Sequence, residues 1–169
     1  MLHDLLKDEN SRIGFMSCPT AYVGFQHAYN RKRDTYLFEV DGRFTVLAGD
    51  KFVKYDFTES DALPESLKGT FDVIVIDPPY LTAPTNEAYA NSVSQLVKRD
   101  GDRVTGKVLL ITGCSIGDKA AEIYSGLDLR STPEKGTLQR TALQVEHASG
   151  ISNDFGAWAN WSGADQWGA

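Results

Sequence analysis

A chain of 169 residues, 41% apolar and 24% charged, suits one globular domain with a core of its own. Its net charge of −6 argues against a partner held mainly by phosphate neutralisation, and its two cysteines, Cys18 and Cys114, allow neither a disulfide framework nor a zinc spacing. The apolar stretches are too short to span a bilayer and the first residues lack a basic-then-apolar leader, so the chain is expected in the cytoplasm with both thiols reduced.

Leu2, Leu5 and Leu6 give Met1 to Asn10 a short helical spacing. Ser11 to Cys18 reads as a first strand, and Pro19-Thr20 as a turn and cap before a helix from Ala21 to Tyr29. Asn30-Arg31-Lys32-Arg33, the only short basic run, suits a solvated turn better than a nucleic-acid contact. Thr35 to Asp41 reads as a second strand and Phe52 to Phe57 as a shorter third, after which Asp61 to Pro64 leads through a short helical stretch to Gly69. Phe71 to Ile76 is the fourth strand, Thr85 to Lys98 a helix stopped by Asp100-Gly101-Asp102, and Lys107 to Gly113 a fifth strand, apolar enough to be covered on both faces. Gly117 to Tyr124 suits another helix. Beyond Gly126, Leu127 to Arg130, Thr141 to Glu146 and Phe155 to Trp161 are candidate strands. Strands alternating with helices predict an α/β fold: a doubly wound, mostly parallel sheet with helices on both faces.

The most informative residues are Asp77-Pro78-Pro79-Tyr80, directly after the fourth strand. Each proline fixes its own φ and lacks an N–H, and Pro79 drives Pro78 toward an extended backbone, so the loop carbonyls take a preset direction. An amino group can donate to the Asp77 carboxylate and to the Pro78 carbonyl, while the Tyr80 ring covers its carbon framework or faces a cationic amine. The plainer reading is a strand followed by a turn, with Tyr80 a half-buried aromatic; the strand-plus-tetrapeptide context favours the functional one.

In a doubly wound sheet, ligands bind beyond the carboxyl ends of the strands, near the switch in strand order. That rim would collect Ser17-Cys18-Pro19-Thr20, Glu39, Asp41, Asp56 and Asp77. The acids suit a nucleoside cofactor bearing a sulfonium. Asp41 is the first candidate to accept the ribose hydroxyls, with Glu39 on the same strand face in reserve, and Asp56 could accept from an adenine amino group. No G-x-G-x-x-G occurs, so a pyrophosphate cofactor such as NAD is not expected. His147 reads as structural or solvated, Cys114 as a packed small residue, and Trp158 and Trp161 as core anchors.

With these residues the chain resembles the class I S-adenosylmethionine-dependent methyltransferases. More narrowly, it is similar to the family that methylates a lysine of translation elongation factor 1-alpha, earlier described as adenine-N6 methyltransferases because of the same tetrapeptide. The resemblance is carried by Tyr36 to Phe44, Phe52 to Phe57, Phe71 to Leu81 and Lys107 to Gly113, and continues through Glu146-His147-Ala148, Ile151 to Phe155 and Ala159-Asn160-Trp161. It implies S-adenosylmethionine as cofactor, held by Ser17, Pro19, Glu39, Asp41, Asp56 and Asp77, and catalysis at Asp77, Pro78, Pro79 and Tyr80. It also implies a protein-lysine substrate on elongation factor 1-alpha, with nucleic acid and membrane partners not expected. Two alternatives stand beside it: an adenine-N6 methyltransferase on DNA or RNA, and a catalytically weak homologue that binds cofactor or a partner. Nothing before Arg12 matches the family's Phe-Trp-Tyr-like segment, Gly156 and Ala157 replace its basic and polar residues, and Lys135 to Leu143 reads as an insertion. The expectation is one methyltransferase-like domain over residues 1–169 without that aromatic segment.

Overall fold

The computed structural model describes residues 10–29, 33–59, 62–125, 138–145 and 154–169. The leucines before Asn10, most of the basic run, the candidate strand Leu127 to Arg130 and His147 lie outside them.

Strand β1 (Ile13–Met16) is buried throughout and passes after two residues into helix α1 (Pro19–Ala28). The helix starts at Pro19 itself, two residues before the expected Ala21, because a proline in the first turn gives up an N–H that has no intrahelical partner. Strand β2 (Thr35–Glu39) stops short of Asp41, whose side chain instead caps a 3-10 turn, Gly42–Phe44. A one-turn helix, α2 (Thr45–Ala48), leads to β3 (Phe52–Lys54), again shorter than expected because the chain turns at Asp56. Strand β4 (Val73–Ile76) is fully buried, and helix α3 (Ala83–Leu96) follows it with Thr82 as its N-cap.

The stop expected at Asp100-Gly101-Asp102 is a small antiparallel hairpin of β5 (Arg99–Asp100) and β6 (Arg103–Val104), with Gly101 at φ +57° in the turn. Strand β7 (Lys107–Gly113) has the expected bounds, and helix α4 (Gly117–Ser125) follows. In the carboxyl third, β8 is Gln139–Arg140 rather than Thr141 to Glu146. Val145 makes only an isolated bridge to Phe155, which opens β9 (Phe155–Ala159).

The seven-stranded sheet runs β3-β2-β1-β4-β7-β9-β8. The first five strands are parallel; β9 is antiparallel to both β7 and β8. The order grows one way from β1 to β3 and the other way from β4, which puts the topological switch between β1 and β4. One core layer joins α3 and α4 to one face through Tyr89, Val93, Ala120 and Tyr124; the other packs Tyr22 and Phe25 of α1 and Ala48 of α2 on the opposite face. The expected doubly wound architecture with helices on both faces is therefore present.

Polar side chains fix the amino ends of the central strands. The Arg12 amide donates to Asp72 Oδ2 at 2.9 Å, and Lys98 Nζ donates to Asp72 Oδ1 at 2.7 Å, clamping the start of β4 from two sides. Arg12 Nε and Lys51 Nζ both donate to the Asp34 carboxylate, at 2.7 and 2.9 Å, and both cations lie over the Tyr36 ring. Beneath β7, the buried Asn160 side chain accepts from the Val108 amide at 2.8 Å and donates to the Gly106 carbonyl at 3.1 Å.

Candidate functional site

Strand register builds the site. Met16 pairs with Phe38 on one side and Ile76 on the other, so the next residues, Glu39, Ser17 and Asp77, end three adjacent strands in one row. The row is tied by backbone bonds: the Ser17 amide donates to the Phe38 carbonyl at 2.9 Å, and the Asp77 amide to the Met16 carbonyl at 3.1 Å. Three of the expected site residues thus sit side by side at the switch point.

Charge converges there too. Burial, reinforced by the charge of Asp77 and more weakly of Glu39, holds the Cys18 thiol well above its ordinary value. Cys18 is therefore a neutral thiol that donates to the Val75 carbonyl, not a nucleophile. Burial likewise raises the Tyr89 phenol, which also feels Glu39. A carboxylate from β2, a carboxylate from β4 and the start of α1 share one small volume.

The two candidate ribose acids differ in what they already hold. Glu39 is 9% exposed, and its Oε1 accepts from the Val40 amide at 2.9 Å and the Asp41 amide at 3.2 Å, which bends the chain away from the sheet. Asp41 lies in the turn beyond and is committed to Arg43, accepting from its amide at 2.9 Å and from its guanidinium at 2.6 to 3.0 Å. Those bonds hold the Asp41 carboxyl below its usual range. Asp56 stands past β3 and accepts from the Thr58 amide at 2.9 Å and hydroxyl at 2.7 Å, which lowers its carboxyl and starts the next turn. Beside it lies a cavity of about 180 Å³ lined by Lys54, Tyr55, Asp56, Glu59, Ala62 and Leu63.

In the tetrapeptide, Pro78 is buried while Pro79 and Tyr80 are exposed, Tyr80 at 59%. The Tyr80 ring meets Phe57 edge-on at 6.1 Å, and Phe57 stacks on Tyr89 at 5.9 Å, which in turn meets Tyr55 at 5.5 Å. A run of four aromatics therefore links the tetrapeptide to the turn after β3. Leu81 continues over the end of β7, where a Cβ on Gly113 would come within 2.7 Å of its Cδ1. Pro19, in the first turn of α1, sets the helix start and offers no N–H.

Sequence reasoning did not single out Phe57 or Tyr89. Tyr89 falls at core spacing with Val93 and Leu96 on α3, so its pattern reads as packing alone. Its hydroxyl nevertheless bonds the Ser17 side chain at the head of the site.

A nucleoside sulfonium fits this donor set: a buried carboxylate ends β2, a second follows β4 on the other side of Ser17, and a cavity with an acid lies past β3. The arrangement can bind hydroxyls and amines.

A family model described as "Probable N6-adenine methyltransferase" matches residues 1–163. A protein-lysine N-methyltransferase of Caenorhabditis elegans is 34% identical over 154 residues, 89% of this chain and 63% of that protein. EEF1A lysine methyltransferase 1 of Mus musculus is 29% identical over 159 residues, 93% of this chain and 65% of that protein. The chain thus spans less than two-thirds of the length of these curated relatives. Among solved structures, a predicted O-methyltransferase of Agrobacterium tumefaciens has a TM-score of 0.58 at 16% identity, covering 94% of this chain and 77% of that one, a likeness of fold.

Proposed function

The chain belongs to the family described as "Probable N6-adenine methyltransferase", and from that membership we propose that it is an S-adenosylmethionine-dependent protein-lysine N-methyltransferase acting on translation elongation factor 1-alpha. The choice of lysine follows the printed names of its relatives. The choice of amine chemistry rests on one observation, the row in which Asp77 stands beside Ser17 and Glu39 at the switch point. Its two unpaired thiols agree with a cytoplasmic place of action.

When bound, S-adenosylmethionine supplies an electrophilic methyl carbon on a positive sulfur. The chain's own residues then have three tasks. Glu39 accepts the ribose hydroxyls in preference to Asp41, which Arg43 already engages. Asp56 and its cavity receive the base edge. Asp77 and the Pro78 carbonyl accept N–H bonds from the substrate amine, aim its lone pair and stabilise positive charge as it develops on nitrogen.

A lysine amine must arrive neutral, since its ordinary pKa is about 10.4 and the ammonium has no lone pair. Desolvation against Tyr80 and Phe57 favours the neutral form, while the Asp77 carboxylate favours the charged one. The carboxylate therefore acts by orientation and by transition-state stabilisation.

The test is transfer of labelled methyl from S-adenosylmethionine to purified elongation factor 1-alpha, bulk protein and oligonucleotides. Signal is expected on the elongation factor. Asp77→Ala should lower transfer by roughly 10²- to 10³-fold, the usual effect of removing one aimed group, with unfolding unchanged. Label on oligonucleotide instead would favour the adenine reading, label on nothing would favour a binding homologue, and full turnover by folded Asp77→Ala would remove Asp77 from the mechanism.

A further inference from the structure

Only two residues separate the end of β1 at Met16 from the start of α1 at Pro19, so the chain must turn sharply at Ser17. It does so with φ +53°, and Ser17 is the one residue other than glycine with positive φ among those described. Left-handed backbone is natural for glycine and disfavoured for a residue with a Cβ, so a serine there needs something to hold it. Two bonds meet that need: its amide donates to the Phe38 carbonyl at 2.9 Å, and its hydroxyl bonds the Tyr89 hydroxyl.

Tyr89 is well placed for this. It is 1% exposed, its ring is fixed between Tyr55 and Phe57, and it sits on the helix that follows the tetrapeptide. We propose that the Tyr89 hydroxyl is a positioning residue for the cofactor loop: it holds Ser17 in the left-handed conformation that carries the chain from β1 into α1, and so keeps Ser17 in row with Glu39 and Asp77. It acts through Ser17 and touches no reacting atom. The same side chain ties that loop through Phe57 to Tyr80, so cofactor loop and tetrapeptide share one support.

The proposal rests on the cofactor reading above, and glycine provides the control that separates the two. S-adenosylmethionine affinity would be measured by calorimetry for the whole chain and for Tyr89→Phe, Ser17→Ala, Ser17→Gly and the Ser17→Gly, Tyr89→Phe double variant. Tyr89→Phe and Ser17→Ala should each weaken binding on the order of tenfold, the population factor that left-handed backbone carries for a non-glycine residue. In the Ser17→Gly background, Tyr89→Phe should change nothing, because glycine adopts that conformation unaided. An equal loss in both backgrounds, or no loss in either, overturns the proposal. Should Tyr89→Phe not fold, Ser17→Ala breaks the same bond from its other end. Because residue 17 also lies in the cofactor row, the readout there is exchange of the residue-17 amide: faster exchange supports the positioning role and unchanged exchange overturns it. If the unaltered chain binds no S-adenosylmethionine, the functional reading fails, and exchange of the Ser17 amide decides the positioning role without ligand. Faster exchange in Tyr89→Phe supports that role and unchanged exchange overturns it.

Discussion

At the scale of single residues, two glycines show how a missing Cβ can serve stability in one place and function in another. A Cβ on Gly117 would lie 1.9 Å from the ring of Trp158, which projects from β9 and is buried in the core. Gly117→Ala is therefore expected to cost about 1–3 kcal/mol, the usual penalty of overpacking, read as a lowered urea midpoint. A Cβ on Gly113 meets only the far end of the Leu81 side chain, which can rotate. Gly113→Ala should leave the midpoint nearly unchanged yet lower methyl transfer by roughly tenfold or more, since Leu81 follows Tyr80 and small misplacements at a reacting centre are expensive. Some of this residue-level order is legible in sequence. Asp77-Pro78-Pro79-Tyr80 announces itself because prolines restrict the backbone wherever they stand. The left-handed turn at Ser17 does not, because the residue that would mark it, a glycine, is absent and the support comes from Tyr89, far along the chain.

Elements are held most firmly where a side chain stands in for a missing backbone partner. Asn160 follows β9 and reaches back to the Val108 amide and the Gly106 carbonyl at the start of β7. Asn160→Ala would leave both of these backbone groups buried without that partner and is expected to cost about 2–4 kcal/mol, measured by urea unfolding. Legibility at this scale follows the range of the interactions. Strand β7 is readable because Lys107 to Gly113 is a continuous apolar run whose burial decides its state. The β5–β6 hairpin is not, since its two-residue strands carry no pattern of their own and the segment is anchored from outside by the Lys98 amide donating to the Phe71 carbonyl. Strand β8 likewise is chosen by its register with Trp158 and Ala159, not by any pattern in Gln139–Arg140.

For the whole molecule, titration should bound stability at both ends. Partial burial pushes the Asp34 carboxyl up, but hydrogen bonds from Lys51 and Arg12 outweigh it and leave the group below its ordinary value. A depressed carboxyl contributes fully above its unfolded value of about 3.9 and loses that contribution as pH falls through the folded one. Tyr55, Tyr89 and Tyr124 shift the opposite way, all raised by burial, Tyr55 to about 12. Their share is complete below an unfolded value of about 10 and is lost as pH rises beyond it. Urea midpoints followed by circular dichroism should therefore fall below pH 4 and again above pH 10, with Asp34→Asn flattening only the acid side. The global architecture is the most legible level of all, because alternating strands and helices leave few topologies open. The antiparallel placement of β9 is the part that alternation alone could not supply.

The chain's three indoles, Trp158, Trp161 and Trp167, all lie on β9 or after it. Strand β7 stands between them and the row formed by β2, β1 and β4. Intrinsic indole emission is thus an optical report on the antiparallel border of the molecule, one strand removed from the switch point.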